Sequence, residues 1–333
     1  MHNVVSEWQR SPVVVGVDGS RAHPAIIDLA VAEAVRRGAS LLIVHAWPGR
    51  YFGSLRTRGP MPTKVDGRHL LDLAARRAQH RAPHLEIGTD LADGSPAHVL
   101  AQHSQRARLV VVGHRDAMFT RPSWGSTAAY LAHRSACPLL VHRGAAAERG
   151  PVVLAASARQ PVTATVACAY EQAALRGSRL VAVHIWTHPS ERDTGSSTMV
   201  ADNYAADRHE ADRHLAEALA GWAWTYPDVA VDRLVLHDLD VAYPLERASQ
   251  RGRLLVAGMG RHGRSAGVIY GSLGRALMRH AECPVLLVPP AGRHPAITTV
   301  PGGAAVDLLW PSELPPDPSK KGRSALPALG HQT

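Results

Sequence analysis

Ala34 to Trp47 reads AVRRGASLLIVHAW, and Ala173 to Trp186 reads AALRGSRLVAVHIW. In each, a helix-favouring run closes on a glycine, Gly38 or Gly177, and an apolar stretch follows. LLIVHAW and LVAVHIW are nearly continuous in apolar residues rather than alternating, which predicts strands covered on both faces. The two copies lie 139 residues apart.

The likeness extends in both directions. SPVVVGVDGS at Ser11 to Ser20 matches GPVVLAASAR at Gly150 to Arg159. RLVVVG, ending at Gly113, matches RLLVAG, ending at Gly258. WGSTAAYLAHRSACPLLVHR, from Trp124, matches YGSLGRALMRHAECPVLLVP, from Tyr270. The chain is therefore a duplication of one unit of roughly 140 residues.

Within the first copy the pattern predicts strand VVVGV, a helix over Ala22 to Arg37, and strand LLIVHAW. A Gly/Pro-rich loop (48–62), a helix from about Leu70 to Arg81, and a strand near Leu85 to Leu91 follow. A helix over Ala97 to Arg106, strand LVVVG, a helix over Ser126 to Arg134 and strand Leu139 to His142 complete it. The second copy repeats the order, with a long polar loop at Thr187 to Asn203. Strands alternating with helices predict two tandem, doubly wound, Rossmann-like α/β domains with mainly parallel sheets, over 10–144 and 149–290. The tail, 291–333, is rich in Pro, Gly and Ser without periodicity and is expected to be disordered.

Composition agrees. The 333 residues are 45% apolar but only 5% aromatic, a balance suited to Ala/Val/Leu helices on branched strands. No apolar run reaches the roughly 18 residues of a membrane span, and no secretory leader is readable, so the chain is expected to be soluble and cytoplasmic. Three cysteines, Cys137, Cys168 and Cys283, are too few and scattered for a disulfide framework or a four-ligand zinc site. The net charge of +9 raises nucleic acid as a partner. All but three of the 37 basic residues are arginine, however, and they interleave with Asp and Glu, as in ADRHEADRH. Without charge blocks or basic-aromatic interleaving, a solvated Arg-rich surface is the better reading.

Gly258-Met259-Gly260-Arg261-His262-Gly263 fits the G-x-G-x-x-G dinucleotide pattern. It stands near the end of a repeat, its helix is expected to open later, at Gly271-Ser272, and no acid follows at a strand's carboxyl end. A polyphosphate loop fits better. Backbone N–H groups between Gly258 and Gly271 can wrap phosphates, the helix N-terminus adds its positive end, and Ser272 can donate to a phosphate oxygen. Gly113 and Gly125-Ser126 repeat this skeleton in the first copy. For a single copy, glycines serving only a tight connection would suffice.

GVDGS at Gly16 to Ser20, VHAW, LVVVG followed by Gly-Ser, and CPLLV at Cys137 to Val141 are arranged as in the universal stress protein family, which the chain resembles over about 10–290. The resemblance implies a nucleotide-binding stress-response or signalling protein, with ATP (and Mg2+) as the expected ligand and little or no turnover. Carried over residue by residue, Asp18 is the acid at the base end, and Gly113, Gly125 and Ser126 meet the phosphates. In the second copy Gly258, Gly260, Arg261, Gly263, Gly271 and Ser272 take the phosphate role. Asp116 and Arg261 replace the family's second loop glycine, and Ser157 stands where Asp18 does. Because Asp116 repels phosphate while Arg261 and Arg264 attract it, the second copy is expected to bind better.

The resemblance also implies pairing of the two domains through their last strands, Leu139 to Val141 near Leu286 to Val288, as an intramolecular pseudo-dimer, with a homodimer as a further option. The other readings are an interaction module with decayed sites and, last, a nucleotide-hydrolysing enzyme, for which only Asp18 and Asp116 offer a base. Elsewhere, His209 and His214 are five apart on a helix and point about 140° apart, so they cannot chelate one ion. Cys137 and Cys283 read as buried strand-start residues, and His45 and His184 as core or pocket-wall histidines.

Overall fold

The structure is a computed structural model, and it describes residues 11–20, 23–47, 63–113, 127–144, 149–156, 163–186, 200–238, 240–259 and 267–290. In the first repeat these are β1 (Val13–Gly16), α1 (His23–Arg37), β2 (Leu41–Trp47), α2 (Lys64–Arg81), β3 (Ile87–Asp93), α3 (Pro96–His103), β4 (Leu109–Gly113), α4 (Thr127–Arg134) and β5 (Leu139–His142). The second repeat contributes β6 (Val152–Ala156), α5 (Thr163–Arg176), β7 (Leu180–Trp186), α6 (Val200–Leu219), the single turn α7 (Trp222–Thr225) and β8 (Val231–His237). It ends with α8 (Ala242–Ser249), β9 (Leu254–Gly258), α9 (Gly267–His280) and β10 (Val285–Val288). The tail at 291–333 lies outside the described residues.

All ten strands join one sheet in the order β3-β2-β1-β4-β5-β10-β9-β6-β7-β8. Neighbours within each repeat run parallel. At the centre β5 and β10 pair antiparallel, with Val141 opposite Val285 and Leu140 opposite Leu286, so the last strands of the repeats do meet.

The pleat explains why the strands are apolar throughout. Val13 and Val15 enter one core with Leu41, Ile43, Leu109 and Val111, while Val14 enters the other with Val44, Val110 and Val112. Helices α1, α2, α5 and α6 cover the first face, through residues such as Ile27, Leu71, Tyr170 and Leu215. Helices α3, α4, α8 and α9 cover the second, through Leu100, Leu131, Leu245 and Leu277. Each core continues across the seam between repeats.

Three expectations are corrected. Helix α2 begins at Lys64 rather than near Leu70, because Thr63 and Asp66 form a capping box that starts it. Helix α6 begins at Val200, inside the stretch read as a loop to Asn203. Helix α9 begins at Gly267, so Gly271 and Ser272 lie in its second turn instead of opening it. No proline interrupts Gly267 to Leu273, and Val268, Ile269 and Leu273 continue the apolar stripe of the helix backwards.

Candidate functional site

In each repeat the strand order reverses direction at one place, between β1 and β4 in the first and between β6 and β9 in the second. The connections leaving the two strands there go to opposite faces, which opens a crevice at their carboxyl ends. Open parallel sheets bind ligands at this point. Gly16 and Gly113 end the two strands that flank the first crevice, and Gly258 ends one flanking the second.

Asp18 stands exposed on the rim of the first crevice. Gly19, at φ +71°, turns the chain beneath it, and the Ser20 N–H donates to Asp18 Oδ1 at 3.0 Å. His23 opens α1 close by. Its Nδ1 is buried with no hydrogen-bond partner, and burial holds its pKa below the usual range despite the nearby Asp18 carboxylate. His45 lies on the same wall, with Nδ1 2.8 Å from the Val17 carbonyl oxygen. His184 makes the equivalent contact to Ala156 at 3.1 Å.

Gly67, inside α2, is where His45 comes closest: a Cβ there would meet His45 Cδ2 at 3.1 Å and Leu91 Cδ1 at 3.0 Å. A mid-helix glycine costs about 1 kcal/mol relative to alanine, so close packing on the histidine accounts for its presence. The sequence reading missed both His23 and Gly67. The signal for Gly67 was a glycine interrupting an otherwise helical pattern.

Gly113 has a packing role as well. A Cβ on it would sit 2.4 Å from Ile26 Cδ1, so Ile26 fills the space the glycine leaves. The loop residues on which the phosphate reading rests lie outside the described residues: Gly125 and Ser126 directly before α4, and Gly260, Arg261 and Gly263 after β9. Asp116 and Ser157 also lie outside them. Gly271 and Ser272 are placed in α9, where their backbone N–H groups fall within the helical ladder.

The remaining polar groups resolve simply. Cys137 and Cys283 are fully buried, and burial pushes each thiol up to about 12; Cys168, on α5, is raised further. His214 faces Glu210 at 3.8 Å and Arg213 pairs with Glu217 at 2.6 Å, a solvated helix face. Among the described residues no three His, Cys, Asp or Glu side chains gather to hold a metal, and no helix is long and apolar enough to cross a membrane.

The chain is thus a tandem, doubly wound α/β protein with a switch-point crevice in each half. The universal stress protein family model matches residues 10–143 and again 150–289, and the chain belongs to that family. A universal stress protein of Mycolicibacterium smegmatis is 29% identical over 294 residues, covering 84% of this chain and 97% of its own. A solved universal stress protein from Archaeoglobus fulgidus superposes with a TM-score of 0.61 at 13% identity, covering 86% of this chain and all of its own. A solved universal stress protein in complex with cAMP aligns over 40% of this chain and 95% of its own, at 26% identity and a TM-score of 0.33.

Proposed function

We propose that this universal stress protein binds ATP or a related nucleotide at its switch-point crevices and acts in the cytoplasm in stress response or signalling, without turnover. The observation that carries the reading is the place of Gly113 and Gly258. Each ends a strand at the switch point and starts the loop that resembles the family's phosphate segment in all but its second glycine. Asp18 would take the base end in the first repeat, with Gly113, Gly125 and Ser126 at the phosphates. Gly258, Gly260, Arg261, Gly263, Gly271 and Ser272 would form the second site.

The start of α9 changes which repeat is favoured. On this reading Gly125-Ser126, which lie outside the described residues, would flank the N-terminus of α4, whose N–H groups would meet the anion. Gly271-Ser272 sit a turn inside α9, where those groups are already used. The first repeat, with Asp18 on its rim, is the better-formed site. Titration calorimetry with ATP on the wild type, Gly125→Asp and Gly271→Asp tests this. Loss of binding in Gly125→Asp with retention in Gly271→Asp is expected, and the opposite pattern reverses the assignment. Absence of heat in the wild type would leave the interaction-module reading, for which the helical placement of Gly271-Ser272 already speaks in the second repeat.

A further inference from the structure

Where α1 of the first repeat meets α5 of the second, four polar side chains are sealed from water: Glu33, Arg37, Gln172 and Arg176. Glu33 is fully buried, and the two arginine side chains are 5% and 4% exposed. The set obeys a local two-fold relation. Glu33 and Gln172 occupy equivalent positions in the repeats, and so do Arg37 and Arg176. Arg37 Nη1 donates to the side chain and the backbone carbonyl of Glu33, while its Nη2 donates across the seam to Gln172 Oε1 at 3.1 Å. Arg176 does the mirror image. Its Nη1 donates to Gln172 Oε1 at 2.6 Å, and its Nη2 donates across the seam to Glu33 Oε1. Even the supports match: Arg108 Nη1 donates to the Arg37 carbonyl oxygen at 3.5 Å, and Arg253 Nη1 to that of Arg176 at 3.2 Å.

The relation is broken in one respect. Glu33 is a carboxylate and Gln172 a neutral amide. Glu33 is the one carboxylate bonded to either buried guanidinium among the described residues, with Arg36 adding a third contact at 2.8 Å. Glu171, on α5, lies near Arg37, Arg108 and Arg176 but is bonded to neither buried guanidinium among the described residues, and burial raises its pKa. Leaving a buried guanidinium without an ionised partner is strongly unfavourable.

From this asymmetry we infer that Glu33 is a pairing determinant: the seam surface of the second repeat fits only a partner domain that offers a carboxylate at this position, and the first repeat of the chain is that partner. Two second repeats placed against each other would bring Arg176 twice against Gln172 twice, two buried cations facing two neutral amides. Two first repeats would be balanced, with two carboxylates and two guanidiniums. Every chain carries one of each repeat, so any contact between first repeats strands a second repeat elsewhere. Closing the chain on itself satisfies both.

The test moves the carboxylate across the seam in the full-length chain. Glu33→Gln removes it, and Glu33→Gln/Gln172→Glu restores it at the equivalent place between the same two guanidiniums. The readouts are the thermal midpoint and amide hydrogen exchange in the peptides carrying β5 and β10. Glu33→Gln is expected to melt about 5–10 °C lower, with faster exchange in both strands. The double variant is expected to recover most of both losses. A double variant no better than Glu33→Gln, or a Glu33→Gln midpoint equal to the wild type, overturns the inference. If Glu33→Gln does not accumulate as soluble protein, soluble yield replaces the midpoint: recovery in the double variant supports the inference, and equal failure overturns it.

Discussion

His45 Nδ1 lies 2.8 Å from the carbonyl oxygen of Val17, the residue that follows β1, so the imidazole of one strand caps the carboxyl end of its neighbour. A carbonyl only accepts, so Nδ1 carries the proton. His184 repeats the contact at 3.1 Å in the second repeat, which shows that the duplication preserved this crevice wall. Replacing His45 by Phe keeps the ring and removes the donor. Urea unfolding should show a loss of about 1–2 kcal/mol, and His184→Phe should behave alike; no change would mean that water satisfies the carbonyl in place of the imidazole N–H.

Gly113 and Ile26 offer a way to separate packing from ligand contact. Gly113→Ala places a Cβ against Ile26 Cδ1 and should cost about 1–3 kcal/mol. Ile26→Val deletes that one methyl group. The pair Gly113→Ala/Ile26→Val should therefore regain most of the stability. If nucleotide binding stays weak in the stable double variant, the glycine is needed by the ligand; if binding returns with stability, its role there is packing alone.

The chain leaving β5 is held at Gly144, at φ +53°, where an added Cβ would fall 1.8 Å from the Glu282 carbonyl oxygen. Both the left-handed backbone and the backbone neighbour oppose a side chain. Gly144→Ala should cost more than about 2 kcal/mol in chemical denaturation. A loss below about 0.5 kcal/mol would show that the turn can move aside.

Burial alone would raise the Glu33 carboxyl, but Arg37 and Arg176, with Arg36, outweigh it and hold the pKa below the usual carboxylate range. A carboxylate depressed in the folded state stabilises above its unfolded pKa and stops doing so as pH falls through the folded one. The stability gap between wild type and Glu33→Gln should thus be full at pH 7 and narrow below about pH 4. A gap independent of pH down to pH 2.5 would assign it to shape, not charge.

All three thiols are buried and shifted away from the thiolate. A disulfide-exchange reagent at pH 8 should label none of them in the native protein and all of them in guanidinium. Rapid labelling without denaturant would contradict the buried placement.

Much of this was open to reading from residues alone. Continuous apolar runs such as LVVVG betray strands buried on both sides, and the repeat of AVRRG-type helix ends fixes their order. The start of α2 was written in Thr63-Lys64-Val65-Asp66, a capping box that went unread beside the Gly/Pro-rich loop at 48–62. The Glu33 cluster had no local signature. In VAEAVRR that glutamate looks like any solvated helix residue, and what buries it is α5, which arrives from more than a hundred residues further on. The same holds for Gly113, whose neighbour Ile26 meets it only once α1 has folded back onto the sheet.

The antiparallel junction of β5 with β10 also orders events in time. During synthesis the first repeat is complete when His142 emerges, yet the partner of its last strand is the final strand of the second repeat. Until Val285 to Val288 leave the ribosome, Leu139, Leu140 and Val141 form a bare, apolar sheet edge of the kind that recruits other chains. Closing that edge requires the longest loop in the fold and is expected to be the slow step of maturation. A nascent chain halted in the second repeat is the form most exposed to aggregation, and holding it apart from its neighbours is where a chaperone would matter most.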